Sequence, residues 1–270
     1  MDASQPIFLF DTGIGGLTVY DALRARLPHA PIIYAADYAG IPYGQKTEAE
    51  VAARVAGLLG RMAERYQPRL ACIACNTAST IALGMVREVL EIPVVGTVPA
   101  IKPAAALTRT GTIALVGTKA TIRQRYVDDL EAQFASDKSL LRIAAPELVE
   151  LAEAKLRGES IDPAPLRAIA DQLGEMAQGD RIDTIVLACT HFPLLAEEFA
   201  QVFGGDVALV DGAQGIARRI EHVLDGQPMA KGSGNRFLVT GPLTRALTLK
   251  DALDARGFAS IESFTNPAAL

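Results

Sequence analysis

Short apolar runs alternate with amphipathic stretches along almost the whole chain. PIFLF (6–10), PIIYAA (31–36), residues 69–75, IPVVG (92–96), TIALVG (112–117), DTIVLAC (183–189), VALV (207–210) and RFLVTG (236–241) carry few charges. Runs of this length, rich in Ile, Val, Leu and Ala, read as strands buried on both faces, the kind found in parallel sheets. A shorter strand is expected near 140–144. The stretches between them have helical spacing: LTVYDALRARLP after the first strand, Glu48 to Tyr66, 100–108, 121–135, 148–158, 164–177, 213–224 and 243–257. Thr47 with Glu50 three residues on forms a capping box at the start of the long second helix. Pro193 is expected to set the start of a further helix. Strands alternating with helices predict an α/β fold with mainly parallel sheets flanked by helices.

The strand tips are where the pattern turns chemical. ACIACNTAST (71–80) and VLACTHFPLL (186–195) each run apolar up to a cysteine and then become polar at once. Cys75 is followed by Asn76 and Thr77, Cys189 by Thr190 and His191. In open α/β sheets ligands bind just past the carboxyl ends of the strands. From about residue 99 the strand–helix order starts again, so the two cysteine segments mark a repeat at the level of domains. This predicts two similar α/β lobes facing one another, residues 1–98 plus 209–270 and residues 99–208. Cys72 completes a formal CxxC with Cys75, but it lies inside an apolar strand, and residues three apart on a strand point to opposite faces. Cys72 reads as a small core residue. Zinc would need two more ligands, and the sequence has no second Cys pair and no HxxxH, so no metal is expected.

Three other strand tips carry candidate groups. Asp11-Thr12-Gly13-Ile14-Gly15-Gly16 follows the first strand. Its glycines fall as GxGG, so the dinucleotide fingerprint fails. An anion cradle, an actin-like nucleotide site and a plain tight turn stay open. Tyr43 and Gly44 follow Pro42 in a rigid turn, and Thr118 to Thr121 stand at the tip of TIALVG. GQPMAKGSGN (226–235) is a polar, glycine-rich loop.

Composition narrows the class. The chain has 270 residues, half of them hydrophobic and 21% charged, with a net charge of −5 and three cysteines. The balance is that of a soluble globular enzyme. With no basic cluster, nucleic acid is not an expected partner. No apolar run approaches the roughly 18 residues of a membrane span, and the N-terminus lacks the basic segment of a signal peptide. An odd cysteine count without a leader points to reduced thiols and a cytoplasmic setting.

Two thiols on opposite sides of one carbon suit a proton transfer that inverts configuration. One thiolate takes the α-proton, and the other, as a thiol, returns a proton to the opposite face. A thiol titrates at about 8.5 and is readily poised near neutrality by a helix N-terminus or a cation. Asp11 is placed to assist Cys75, and His191 to assist Cys189. Side chains of Asn76, Thr77, Thr118, Thr121 and Thr190, with nearby N–H groups, are candidates to hold a substrate carboxylate in a water-excluded site. A two-lobed binding module without chemistry is the alternative of another class, and an ATP-using actin-like fold is a third.

FDTGIGGLTV (10–19), IPYGQKT (41–47), ACNTAS (74–79), GTVPAIKPA (96–104), LVGTKATI (115–122) and LACTHFPLL (187–195) together resemble the glutamate racemases. These belong to the cofactor-independent aspartate/glutamate racemase superfamily. The resemblance spans most of the chain in order. It implies a fold of two pseudosymmetric lobes with the active site in the cleft between them, Cys75 and Cys189 as the acid/base pair, and Asp11 and His191 as assisting groups. It implies that the thiol at Cys75 acts on D-glutamate and that at Cys189 on L-glutamate. It also implies substrate contacts from Thr12, Tyr43, Gly44, Asn76, Thr77, Thr118, Thr121 and Thr190, and no cofactor. A further glutamate is expected near residue 150, where Glu150 and Glu153 are both candidates. The family is commonly dimeric, and its product D-glutamate enters peptidoglycan. A related racemase acting on aspartate or another small acid is the alternative.

Overall fold

The structure is a computed structural model that describes residues 3–229 and 234–264, so part of the polar loop expected over 226–235 lies outside the described residues. Along the chain run β1 (Ile7–Asp11), α1 (Leu17–Arg26), β2 (Ile32–Ala36), α2 (Glu48–Tyr66), β3 (Leu70–Ile73), α3 (Asn76–Val89) and β4 (Val94–Gly96). There follow α4 (Ile101–Leu107), β5 (Thr112–Gly117), α5 (Lys119–Ile122), α6 (Arg125–Phe134), β6 (Ser139–Ala144), α7 (Glu147–Leu156), α8 (Ala164–Glu175), β7 (Thr184–Ala188), α9 (Ala196–Phe203) and β8 (Ala208–Val210). The last elements are α10 (Ala213–Val223), β9 (Asn235–Val239), α11 (Thr244–Leu247), α12 (Lys250–Asp254) and β10 (Phe258–Ser263).

The chain divides into two compact units, Met1–Thr97 with Ala213–Leu270, and Val98–Gly212. The second crossing falls later than the expected 208/209 boundary. β8 pairs with β7 from Thr184↔Ala208 to Val186↔Val210, which keeps it in the second unit.

In the first unit a six-stranded sheet has the order β10-β9-β2-β1-β3-β4, and every pair is parallel. Phe8, Phe10, Ile33, Ala35 and Ile73 face α2 and α3 and meet Val51, Val55, Leu58, Leu59 and Met62, an apolar helical stripe. Ile7, Leu9 and Tyr34, the intervening residues, are equally buried. Burial on both faces is why these strands read as continuous apolar runs.

In the second unit a four-stranded sheet has the order β6-β5-β7-β8, again all parallel. Ala114, Val116, Ile185 and Leu187 face α7 and α8. Ile113, Leu115, Val186 and Ala188 face α4 and α6. The inner strands of the two units share one pattern. The chain moves from β1 to β2 on one side and returns to β3 on the other; it does the same from β5 to β6 and back to β7. Each unit thus has a switch point, between the ends of β1 and β3 and of β5 and β7, where this architecture binds ligands.

The structure departs from the sequence expectation at four places. The helix expected over 121–135 is two, because Gln124 has extended backbone (ψ 134°) and opens α6 afresh. The helix expected over 243–257 is also two, separated at Leu249 (φ −103°, ψ 7°). β10 was not expected at all: Gly257 turns the chain at φ +78°, and FASIES then adds a mostly half-buried edge strand against β9. Pro193 falls in a short 3-10 turn, Phe192–Leu195, and α9 begins only after it.

Candidate active site

In the first unit Asp11 is the last residue of β1 and is fully buried. Its Oδ1 accepts hydrogen bonds from Thr12 Oγ1 (3.1 Å) and the Gly13 N–H (3.2 Å), closing the glycine-rich turn on its own carboxylate. Gly16 has to be glycine here: a Cβ would stand 2.9 Å from Asp11 Oδ2 and from the Tyr34 hydroxyl. Cys75 lies two residues past β3, on the strand beside β1. It is the N-cap of α3, and its Sγ accepts the Ala78 N–H at 3.5 Å. That donor and the positive end of a 14-residue helix both favour the thiolate. Thr12 Oγ1 is 3.9 Å from Cys75 Sγ and also donates to Asp11, so a hydroxyl links thiol and carboxylate. Asn76 and Thr77 are buried in the first turn of α3, and Asn76 Oδ1 accepts the Thr97 hydroxyl at 3.5 Å. Tyr43 is buried in the same apolar cluster as Cys75, with Gly44 half-buried after it. The structure thus gathers Asp11, Thr12, Tyr43, Cys75, Asn76 and Thr77 at the carboxyl edge of one sheet.

In the second unit Cys189 follows β7 directly and is buried. Its Sγ lies 3.8 Å from His191 Nδ1 in a hydrogen bond. His191 Nε2 lies 3.5 Å from Glu153 Oε1, and Glu153 Oε2 lies 3.8 Å from Arg157 Nη1. A thiol, an imidazole, a carboxylate and a guanidinium are therefore linked by successive contacts from the strand tip to the C-terminal end of α7. Of the two glutamates left open by the sequence, Glu153 is the one beside His191; Glu150 is exposed and pairs with Arg157 at 2.9 Å. Thr118 caps the short α5: its Oγ1 accepts the Thr121 N–H at 3.2 Å and lies 3.0 Å from Thr121 Oγ1. Register Gly117↔Ala188 puts this pair of hydroxyls at the strand end next to that of Cys189. Thr190 is buried between Cys189 and His191 in sequence.

Cys72 is fully buried in β3, and burial, aided by the Asp11 charge, pushes its thiol well above the ordinary range, as a core role requires. Among the described residues no cluster of three His, Cys, Asp or Glu side chains has a metal-binding arrangement. Among the same residues no helix is long and apolar enough to cross a membrane. Sequence reasoning missed Asp37, a fully buried carboxylate one residue past β2. The signal was available, because Asp37 ends an apolar run just as Asp11 does.

Residues 18–220 match the family model of the Asp/Glu/hydantoin racemases. The chain belongs to that family. Within the family it is 62% identical over 222 residues to a glutamate racemase of Sphingopyxis alaskensis, covering 82% of this chain and 83% of the relative. It is 42% identical over 258 residues to a glutamate racemase of Escherichia coli O157:H7, covering 95% and 90%. Among solved structures it is similar to an Escherichia coli glutamate racemase crystallised with L-glutamate and the activator UDP-MurNAc-Ala. That likeness has a TM-score of 0.89 at 42% identity and covers 96% of this chain and 98% of the other. The family membership and these relatives support the α/β reading and the racemase class made from CNT and CTH.

Proposed function

We propose that this protein interconverts L- and D-glutamate by proton transfer between two thiols, without a cofactor. One observation carries the mechanism. Each unit ends the strand on the same side of its switch point with a buried cysteine, and each cysteine has its own hydrogen-bonded proton partners. The relatives named above supply the substrate. The reading requires Cys75 and Cys189 to address opposite faces of one α-carbon in a cleft formed by the two units.

The Cys75 thiolate takes the α-proton of D-glutamate, and the electron pair left on carbon is protonated on the other face by the Cys189 thiol. L-glutamate leaves, with Cys75 now a thiol and Cys189 a thiolate. The reverse reaction exchanges the roles. Thr12 and Asp11 relay the proton of Cys75, while His191, held by Glu153, relays that of Cys189. The carbanion is the difficult species. Hydrogen bonds from Asn76, Thr77, Thr118, Thr121 and Thr190 to the substrate carboxylate, with the N–H groups of Tyr43 and Gly44, lower its energy in a water-poor site. Through its bacterial relatives the reading extends to a cytoplasmic supply of D-glutamate for peptidoglycan.

The test is incubation of the purified protein with each enantiomer in D2O, without added cofactor, following optical rotation and the α-proton signal together. Inversion with deuterium at the α-carbon is expected for both enantiomers of glutamate and not for aspartate. Inversion of aspartate instead would move the substrate within the family, and neither inversion nor exchange would end the racemase reading.

A further inference from the structure

We propose that Asp37 and Arg54 are positioning residues for the first thiol, holding the Tyr43 turn in place beside Cys75. The inference rests on the racemase reading above and deepens it.

Asp37 is fully buried, and each carboxylate oxygen is used twice. Oδ2 accepts the Tyr43 hydroxyl at 2.6 Å and Arg54 Nε; Oδ1 accepts Arg54 Nη2 at 2.6 Å and the Thr240 hydroxyl. The Arg54 contact is a two-pronged fork, the strongest geometry a carboxylate can be given. Four segments meet on this one group: the tip of β2, the turn that carries Tyr43, helix α2 and the tip of β9. The chain wraps it so closely that a Cβ on Gly40 would collide with Asp37, Arg54 and Tyr43 together.

A buried carboxylate held by one guanidinium and two hydroxyl donors is costly to assemble. Its location suggests what it is for. Tyr43 packs in the cluster that contains Cys75. Burial, then the Asp37 charge, and further the Cys75 charge, hold the Tyr43 phenol far above its ordinary range, so it stays a neutral donor. A phenol committed to Asp37 positions rather than reacts. It fixes the ring beside Cys75 and, with it, the N–H groups at Tyr43 and Gly44 that the mechanism uses.

The experiment reads each thiol separately. Enantiomers have equal free energy, so kcat/KM must fall equally in both directions for any variant. The α-deuterium isotope effect is not so constrained. It reports proton removal by Cys75 when the substrate is D-glutamate and by Cys189 when it is L-glutamate. In Asp37→Asn, and independently in Tyr43→Phe, kcat/KM is expected to fall at least tenfold. The isotope effect should rise with D-glutamate and decline with L-glutamate. Asp37→Asn with Tyr43→Phe should be no worse than Asp37→Asn alone, because both act through one hydrogen bond. Arg54→Lys should recover part of what Arg54→Gln loses. Isotope effects that move together, losses that multiply, or wild-type kinetics in Tyr43→Phe would overturn the proposal. A wild-type protein that exchanges no α-proton of glutamate would instead overturn the reading of the substrate as glutamate.

Discussion

The two units lay their inner strands in the same order and end the corresponding strand in a cysteine, yet they surround that cysteine differently. Cys75 caps a long helix and takes a backbone N–H, with a hydroxyl leading on to Asp11. After Cys189 the chain makes a 3-10 turn before α9, so the helix that follows does not start at the sulfur, and an imidazole backed by Glu153 stands beside it instead. A helix terminus offers a fixed partial charge. A histidine–carboxylate pair offers a charge that depends on pH and a proton that can move. The proposed reaction asks each thiol to be both acid and base, and these are two physical routes to that end. The sharpest way to break the comparison is to remove one thiol at a time. Cys75→Ala and Cys189→Ala should each lower racemisation by about 10³-fold or more. Cys189→Ala should still exchange the α-proton of D-glutamate, and Cys75→Ala that of L-glutamate. Near-full racemisation in either variant would end the two-thiol mechanism.

Glu153 sharpens the comparison next. Glu153→Gln keeps the shape and removes the charge facing His191. An opposite charge within about 4–6 Å stabilises the charged form of its partner by about 1.4 kcal/mol or more, so kcat/KM should fall by about 10-fold or more. The isotope effect should rise with L-glutamate, the reverse of the response expected for Asp37→Asn. If it rises with D-glutamate, His191 and Glu153 do not serve Cys189.

What could be read from the sequence follows the same physics. Strands buried on both faces wrote themselves as apolar runs, and β1, β2, β3, β5 and β7 stand where those runs do. β10 has one neighbour and mostly half-buried side chains, so FASIES carries no such signal. The residues flanking the thiols were legible because they are contiguous with them. The role of Asp37 was not: it ends an apolar run as Asp11 does, but its partners Arg54 and Thr240 lie 17 and 203 residues away and no spacing rule connects them. Glu150 and Glu153 stand three apart on α7. Only burial separates them, and burial there depends on how α7 packs against the turn after Cys189.

The two ends of β7 make a smaller contrast. Cys189 follows one end, and Asp183 precedes the other. Partial burial works against the Asp183 carboxylate. Hydrogen bonds from the Thr108 hydroxyl (2.6 Å), the N–H groups of Thr110 (2.9 Å) and Arg109 (2.7 Å), and Thr184 prevail and hold it at about 2. A carboxyl depressed in the folded state contributes stability above its unfolded value of about 3.9 and loses it as pH falls toward 2. Asp183→Asn should therefore cost about 1 kcal/mol at pH 7. The gap from wild type should close between about pH 4 and pH 2. A gap that stays constant to pH 2 would show that the carboxylate charge is not what holds this loop.

The smallest expected effect concerns how each unit starts the helix that follows its second strand. α2 begins with a full capping box: Thr47 Oγ1 accepts the Glu50 N–H at 3.3 Å, and Glu50 Oε2 accepts the Thr47 N–H at 2.8 Å. α7 begins at Pro146 with no side-chain cap hydrogen bond. Removing the Thr47 side chain leaves an N–H of the first turn without its acceptor, which typically costs about 1 kcal/mol. Thr47→Ala should lower the unfolding midpoint by roughly 2–4 °C. Amide exchange should speed up in the first turn of α2, with no change in α7, whose start never depended on such a cap. Unchanged exchange at Glu50 and Val51 would mean that packing of Val51 and Val55 against β1 and β2 fixes this helix end without help from its cap.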